Sequence, residues 1–129
     1  METNLLYIRP TRKLDLKIGI ITTDFIDKLL KYFGSECTSK INGEITIFSY
    51  SKCSVENYET VINILFDNLN MTSLILFHQD AKYFTDNVIR RILDCKTLRT
   101  VQLNDIRNEA IELSMIQQKS YVKQWILDH

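Results

Sequence analysis

Glycine and proline are scarce, with three of the first and one of the second in 129 residues. A meander of tight turns needs many more of both, so few, long elements joined by polar loops are expected. No glycine-rich turn follows any strand pattern, which argues against a phosphate-cradling loop. The three cysteines, Cys37, Cys53 and Cys95, are an odd number without C-x-x-C spacing, so neither a disulfide framework nor a metal site is signalled. Charge of one sign is also missing. Sixteen basic residues balance sixteen acidic ones, and no global field recruits nucleic acid or an anionic membrane. There is no apolar run of membrane-spanning length, and Met1-Glu2-Thr3-Asn4 lacks the basic and apolar regions of a signal peptide. The expected setting is reducing and intracellular, cytoplasmic or nuclear.

What is present is an ordinary globular composition, 45% hydrophobic and 25% charged. One domain over 1–129 is expected. Residues 1–12 hold the apolar knot Leu5, Leu6, Tyr7 and Ile8, which Arg9-Pro10 ends. Pro10 cannot donate to a central ladder, so this is a lead-in or a short edge strand. Residues 13–104 then alternate strand and helix patterns. Leu14, Leu16 and Ile18 have a strand's period of two, and Thr23 or Asp24 caps a helix through Phe25, Ile26, Leu29, Leu30 and Phe33, with Gly34 past its end. A second strand runs over Glu44–Tyr50. Its helix, capped by Ser54, runs through Val61, Ile62, Leu65, Phe66 and Leu69. The third strand, Thr72–Phe77, leads to a helix capped by Thr85, and Leu98–Leu103 is the fourth. Residues 106–127 have helical periodicity (Ile111, Met115, Tyr121, Val122, Trp125, Ile126), predicting a C-terminal helix.

This is an α/β pattern of about four mainly parallel strands alternating with helices. It fits either a leucine-rich-repeat-like curve or a compact layered sheet. With Leu14/Leu16, Ile45/Ile47, Leu74/Leu76 and Val101/Leu103 facing the helices, the other face carries Phe48, Ile75 and Phe77 among Asp15, Lys17, Thr46 and Gln102. Three large apolar side chains do not belong in water, so a cover is expected: the C-terminal helix, the N-terminal segment or a partner.

Two lines, Met71-x-x-Leu74-x-Leu76 and Leu98-x-x-Val101-x-Leu103, repeat after about 27 residues, a solenoid-like period. The second, with Cys95 upstream and Thr85-Asp86 at the preceding helix start, resembles a cysteine-containing leucine-rich repeat. Thr11 and Asn42 stand where the first two units would have their leading apolar residue, and Ile106 stands where the repeat's asparagine would be. The lines Lys13-Leu14-x-Leu16-x-Ile18 and Leu29-Leu30-x-Tyr32-Phe33 also resemble the F-box-associated FTH-type domains of nematode proteins. That resemblance covers residues 13–104. It implies a protein-binding module, not an enzyme, with no catalytic residues to carry over; no cofactor is expected, since the chain has no cofactor motif.

The function expected is therefore a non-enzymatic protein–protein interaction module or adaptor, binding another protein or its own copy, with Phe48, Ile75, Phe77, Tyr121 and Trp125 as contact residues. The alternative is a small α/β enzyme or ligand-binding protein. Ligands of parallel sheets bind at the carboxyl ends of the strands, and there His78, Asp80 and Asp105 would form an acid–base cluster. Asp, Ser and Thr also gather at such ends simply as turn formers and caps. Cys53, beside Lys52, is either a thiol of depressed pKa or an ordinary loop residue.

Overall fold

The computed structural model describes residues 5–9, 13–36, 41–48, 53–77, 81–104 and 124–128. It is an α/β protein. Ten elements follow one another: β1 Leu5–Arg9, β2 Lys13–Ile18, α1 Thr23–Glu36, β3 Ile41–Ile47, α2 Val55–Asn68, β4 Leu69–Phe77, a 3-10 turn Ala81–Tyr83, α3 Asp86–Asp94, β5 Thr100–Asn104 and β6 Gln124–Asp128. The six strands form one sheet in sequence order. β1 is antiparallel to β2, and every later neighbour is parallel. The lead-in before Pro10 is thus an edge strand.

A parallel strand cannot follow its neighbour through a tight turn, so each pair from β2 to β5 is joined through a helix. Because the strand order never reverses and crossovers keep one hand, the helices gather on one side. They touch in series, α1 with α2 and α2 with α3. The described residues form two layers, and one sheet face has no helix among them on it.

The core lies between the layers. Across the sheet, Leu16 pairs with Ile45, Ile45 with Leu74, Leu74 with Val101, and Val101 with Trp125. Leu16, Ile45, Leu74 and Val101 are fully buried, as are Ile18, Ile47, Leu76 and Leu103 one row further on. Each such side chain is worth about 1.5–3 kcal/mol of transfer free energy. The helices meet them with Ile26, Leu29 and Phe33 from α1, Tyr58, Val61, Ile62 and Leu65 from α2, and Val88 and Ile92 from α3.

The two repeated lines now have a structural basis. Period two alone would not bury Met71 together with Leu74, three residues apart, yet both are fully buried. A register shift provides the extra residue: Gly43 pairs with Met71 but Glu44 with Ser73, so Thr72 is inserted in β4. The Thr72 hydroxyl donates to the Gly43 carbonyl at 3.1 Å, and its own carbonyl accepts from the Arg99 amide at 2.9 Å. Leu98, Val101 and Leu103 repeat the spacing and are buried alike. Ahead of them the Thr97 hydroxyl donates to the Met71 carbonyl at 2.8 Å, with the Cys95 thiol 3.9 Å from the same oxygen. Gly43 leaves room for the Leu69 side chain, since a Cβ there would stand 2.9 Å from Leu69 Cδ1.

Several expectations are corrected. The predicted helix over 106–127 cannot run to its end, because Gln124–Asp128 is a strand; residues 105–123 lie outside the described part. The run Trp125-Ile126-Leu127 suits either element locally, and the open ladder edge of β5 decides for the strand. β3 begins at Ile41, inside the stretch expected to be a loop. The cap of α1 is Thr22 and not Thr23 or Asp24, because its Oγ1 accepts from the Phe25 amide at 3.1 Å. α1 also continues through Gly34, and Leu30, expected on its apolar stripe, is 52% exposed. α1 is the first helix of its layer and, among the described helices, packs on α2 alone of its neighbours in sequence, which leaves a flank of it to solvent. Ser54 and Thr85 do cap α2 and α3, accepting from the amides of Asn57 and Val88.

Candidate functional site

The face opposite the helices is set out by strand alternation. Leu74 and Leu76 point into the core, so Ile75 and Phe77 must point the other way, and both are half-buried. Ile75 is level with Thr46 on one side and Gln102 on the other, and Thr46 in turn pairs with Lys17. Phe48 carries the ladder one residue past β3, its amide donating to the Ile18 carbonyl at 2.9 Å. That fixes its ring against Phe77 in a near-parallel stack, centroids 5.4 Å apart with 6° between planes. Such a pair is worth about 0.5–1.5 kcal/mol beyond its burial. Three of the five expected contact residues, Phe48, Ile75 and Phe77, are therefore brought into one patch.

The patch has a charged flank. Lys13 Nζ lies 2.8 Å from Glu44 Oε1 across β2 and β3, beside half-buried Asp15 and exposed Lys17. Both partners of the pair are about one-third exposed, so the interaction orients side chains more than it stabilises the fold. Of the other two expected contact residues, Trp125 lies in β6, level with Val101, and not on a helix beside Tyr121. Tyr121 is outside the described residues, as are His78, Asp80 and Asp105 of the alternative acid–base cluster.

The described part of the carboxyl edge is occupied by structural roles. Thr22, Ser54 and Thr85 spend their hydroxyls on helix amides. Thr85 Oγ1 also donates to Glu59 Oε2 at 3.0 Å, tying the start of α3 to α2. Beneath them sits an aromatic pair absent from the sequence reading. Tyr58 and Tyr83 stack with centroids 4.5 Å apart, and the Tyr83 hydroxyl donates to the Cys53 carbonyl at 2.9 Å. Tyr58 stands three residues before Val61 on the α2 stripe, a signal that helical periodicity could have used. Tyr83 had none, because it lies in a single turn between elements.

Burial pushes the Cys53 thiol up, outweighing the opposing hydrogen bond from Tyr83 and the nearby Lys82 ammonium. Of the two readings of Cys53, desolvation favours the ordinary thiol over one of depressed pKa; Lys52 itself lies outside the described residues. Tyr58 is also raised, first by its complete burial and then by Cys53 and Tyr83. Its hydroxyl has no hydrogen-bond partner among the described residues.

Among the described residues no group of three or more His, Cys, Asp or Glu side chains could hold a metal ion, and no helix is long and apolar enough to cross a membrane. Comparisons with family models, with curated proteins and with solved structures find no match to this chain.

Proposed function

We propose that the chain is a non-enzymatic protein-interaction module, an adaptor that binds another protein through the sheet face opposite its helices. The observation that carries this reading is the Phe48–Phe77 stack, continued by Ile75, on a face with no described helix packed over it. Aromatic side chains in a half-buried apolar patch with a charged rim are what interface hot spots are made of. The strand–helix build supports the same reading, because stacked units offer an extended surface with few demands on any one loop. So does the Cys95–Thr97 contact to the preceding unit, which is in keeping with the resemblance to a cysteine-containing leucine-rich repeat.

The test compares proteins captured by the wild type, by a Phe48→Asp/Phe77→Asp variant and by a Lys28→Glu variant on the exposed side of α1. Circular dichroism must first show that each variant is folded. Partners lost with the sheet-face variant and kept with the α1 variant support the proposal. Partners indifferent to the sheet face but lost with Lys28→Glu would move the interaction to the helices and overturn it.

A further inference from the structure

At the opposite edge of the sheet, where α2 and α3 end and β4 and β5 begin, lies a cleft of about 510 Å³. Its wall includes Phe66, Asn70, Arg90, Arg91, Asp94 and Lys96. The volume falls inside the range of roughly 300–1,000 Å³ typical of small-molecule sites.

Arg91 is already clamped in place. Its Nε donates to Asn63 Oδ1 at 3.2 Å and its Nη1 to Asp67 Oδ1 at 2.6 Å. Asn63 is itself held by the Asn87 side-chain amide at 3.0 Å. A guanidinium held through Nε and Nη1 keeps Nη2, which makes no hydrogen bond among the described residues, and loses little entropy on meeting a carboxylate or phosphate. Arg90 and Lys96 stand on the same wall, exposed and without a carboxylate partner among the described residues. Among the described lining residues the acid is Asp94, and Asp67 pairs with Arg91, so Arg90 and Lys96 together leave an excess of positive charge on the wall.

Cations near the end of α3 also complement its dipole. That accounts for their charge but not for the rest of the wall. The half-buried Asn70 amide adds a polar group that can donate or accept, and Phe66, 8% exposed, adds an aromatic surface. Fixed cation, free cations, amide and ring together select for a ligand with one charged and one flat end.

We propose that this cleft binds a small organic anion, a carboxylate or phosphate ester joined to a flat apolar group, with the anion at Arg90, Arg91 and Lys96 and the flat group against Phe66. The site is separate from the sheet face and stands whether or not that face binds a protein.

The test is a heteronuclear NMR titration of the full chain with phenyl phosphate and phenylacetate, using inorganic phosphate and benzyl alcohol as partial probes. Saturable shifts should concentrate in the amides of residues 66–70 and 90–97 for at least one of the two aromatic anions. They should weaken with added salt, because the charges are exposed. An Arg90→Gln/Lys96→Gln variant removes no described hydrogen bond of either side chain, so its spectrum should stay native while affinity falls at least about five-fold, the loss of two exposed ion contacts. No saturable shift with either aromatic anion, or equal affinity in the variant, would overturn the site. Benzyl alcohol binding as well as the anions would overturn the role of the cations. Inorganic phosphate binding as well as phenyl phosphate would overturn the role of Phe66.

Discussion

Tyr58→Phe should make this protein more stable. Tyr58 is 1% exposed, and its hydroxyl has no hydrogen-bond partner among the described residues. Burying a hydroxyl without a partner costs about 1–3 kcal/mol by protein mutational measures. Removing the oxygen cancels that cost and leaves the ring on Tyr83, whose own hydroxyl stays bound to the Cys53 carbonyl. Against the gain stand the few van der Waals contacts of one oxygen, each about 0.1–0.2 kcal/mol. A net gain of about 0.5–2 kcal/mol follows, visible in urea unfolding as a higher midpoint at unchanged slope.

The same group makes a second, independent prediction in alkali. Its folded pKa is raised above the unfolded value near 10.0. Below that value both states hold the proton and stability is unaffected. Above it the unfolded chain releases a proton that the folded chain retains, so stability falls with rising pH, at about 1.4 kcal/mol per unit from this group. Tyr58→Phe should lack that increment, and its stability should fall less steeply above pH 10 than that of the wild type. A variant destabilised by more than about 1 kcal/mol at neutral pH would refute the reasoning, since it would mean that the hydroxyl holds a bond worth keeping.

Two further outcomes are expected. Gly43→Ala should destabilise by about 1–3 kcal/mol, since its Cβ would meet Leu69 Cδ1 at 2.9 Å and Leu69 Cβ at 3.3 Å; a Leu69→Ala background, itself less stable, should remove most of that increment in a double-mutant cycle by chemical denaturation. Cys53 alkylation by iodoacetamide, followed by mass spectrometry, should show a pH–rate profile displaced above that of a free cysteine peptide, because burial outweighs the nearby cation; a profile displaced below it would contradict the desolvation argument.

Local physics was legible in the residues, and non-local physics was not. Leu14-x-Leu16-x-Ile18 could be read as a strand because side chains alternate whatever the partner strand is, and Ser54 and Thr85 could be read as caps because a cap contacts amides three residues away. The spacing of Met71, Leu74 and Leu76 carried the inserted residue at Thr72, although only the pairing with Gly43 and Glu44 shows that it is a bulge. The candidate patch followed from the same alternation, which placed Phe48, Ile75 and Phe77 opposite the core, whereas their convergence into a ring stack required the register between β3 and β4.

The α/β class, the order of strand and helix from β2 to β5, and the strand residues that face the core can be read from the residues, since all of these rest on period and on contacts within a few residues. Tertiary structure alone decided three other things. It made Gln124–Asp128 a strand, because β5 offered it a ladder that no local preference could announce. It brought Tyr58 onto Tyr83 and raised the Cys53 thiol, because desolvation depends on neighbours supplied by distant parts of the chain. And it assembled Phe66, Asn70, Arg90, Arg91 and Lys96 around one cleft, which exists only once α2 and α3 lie side by side.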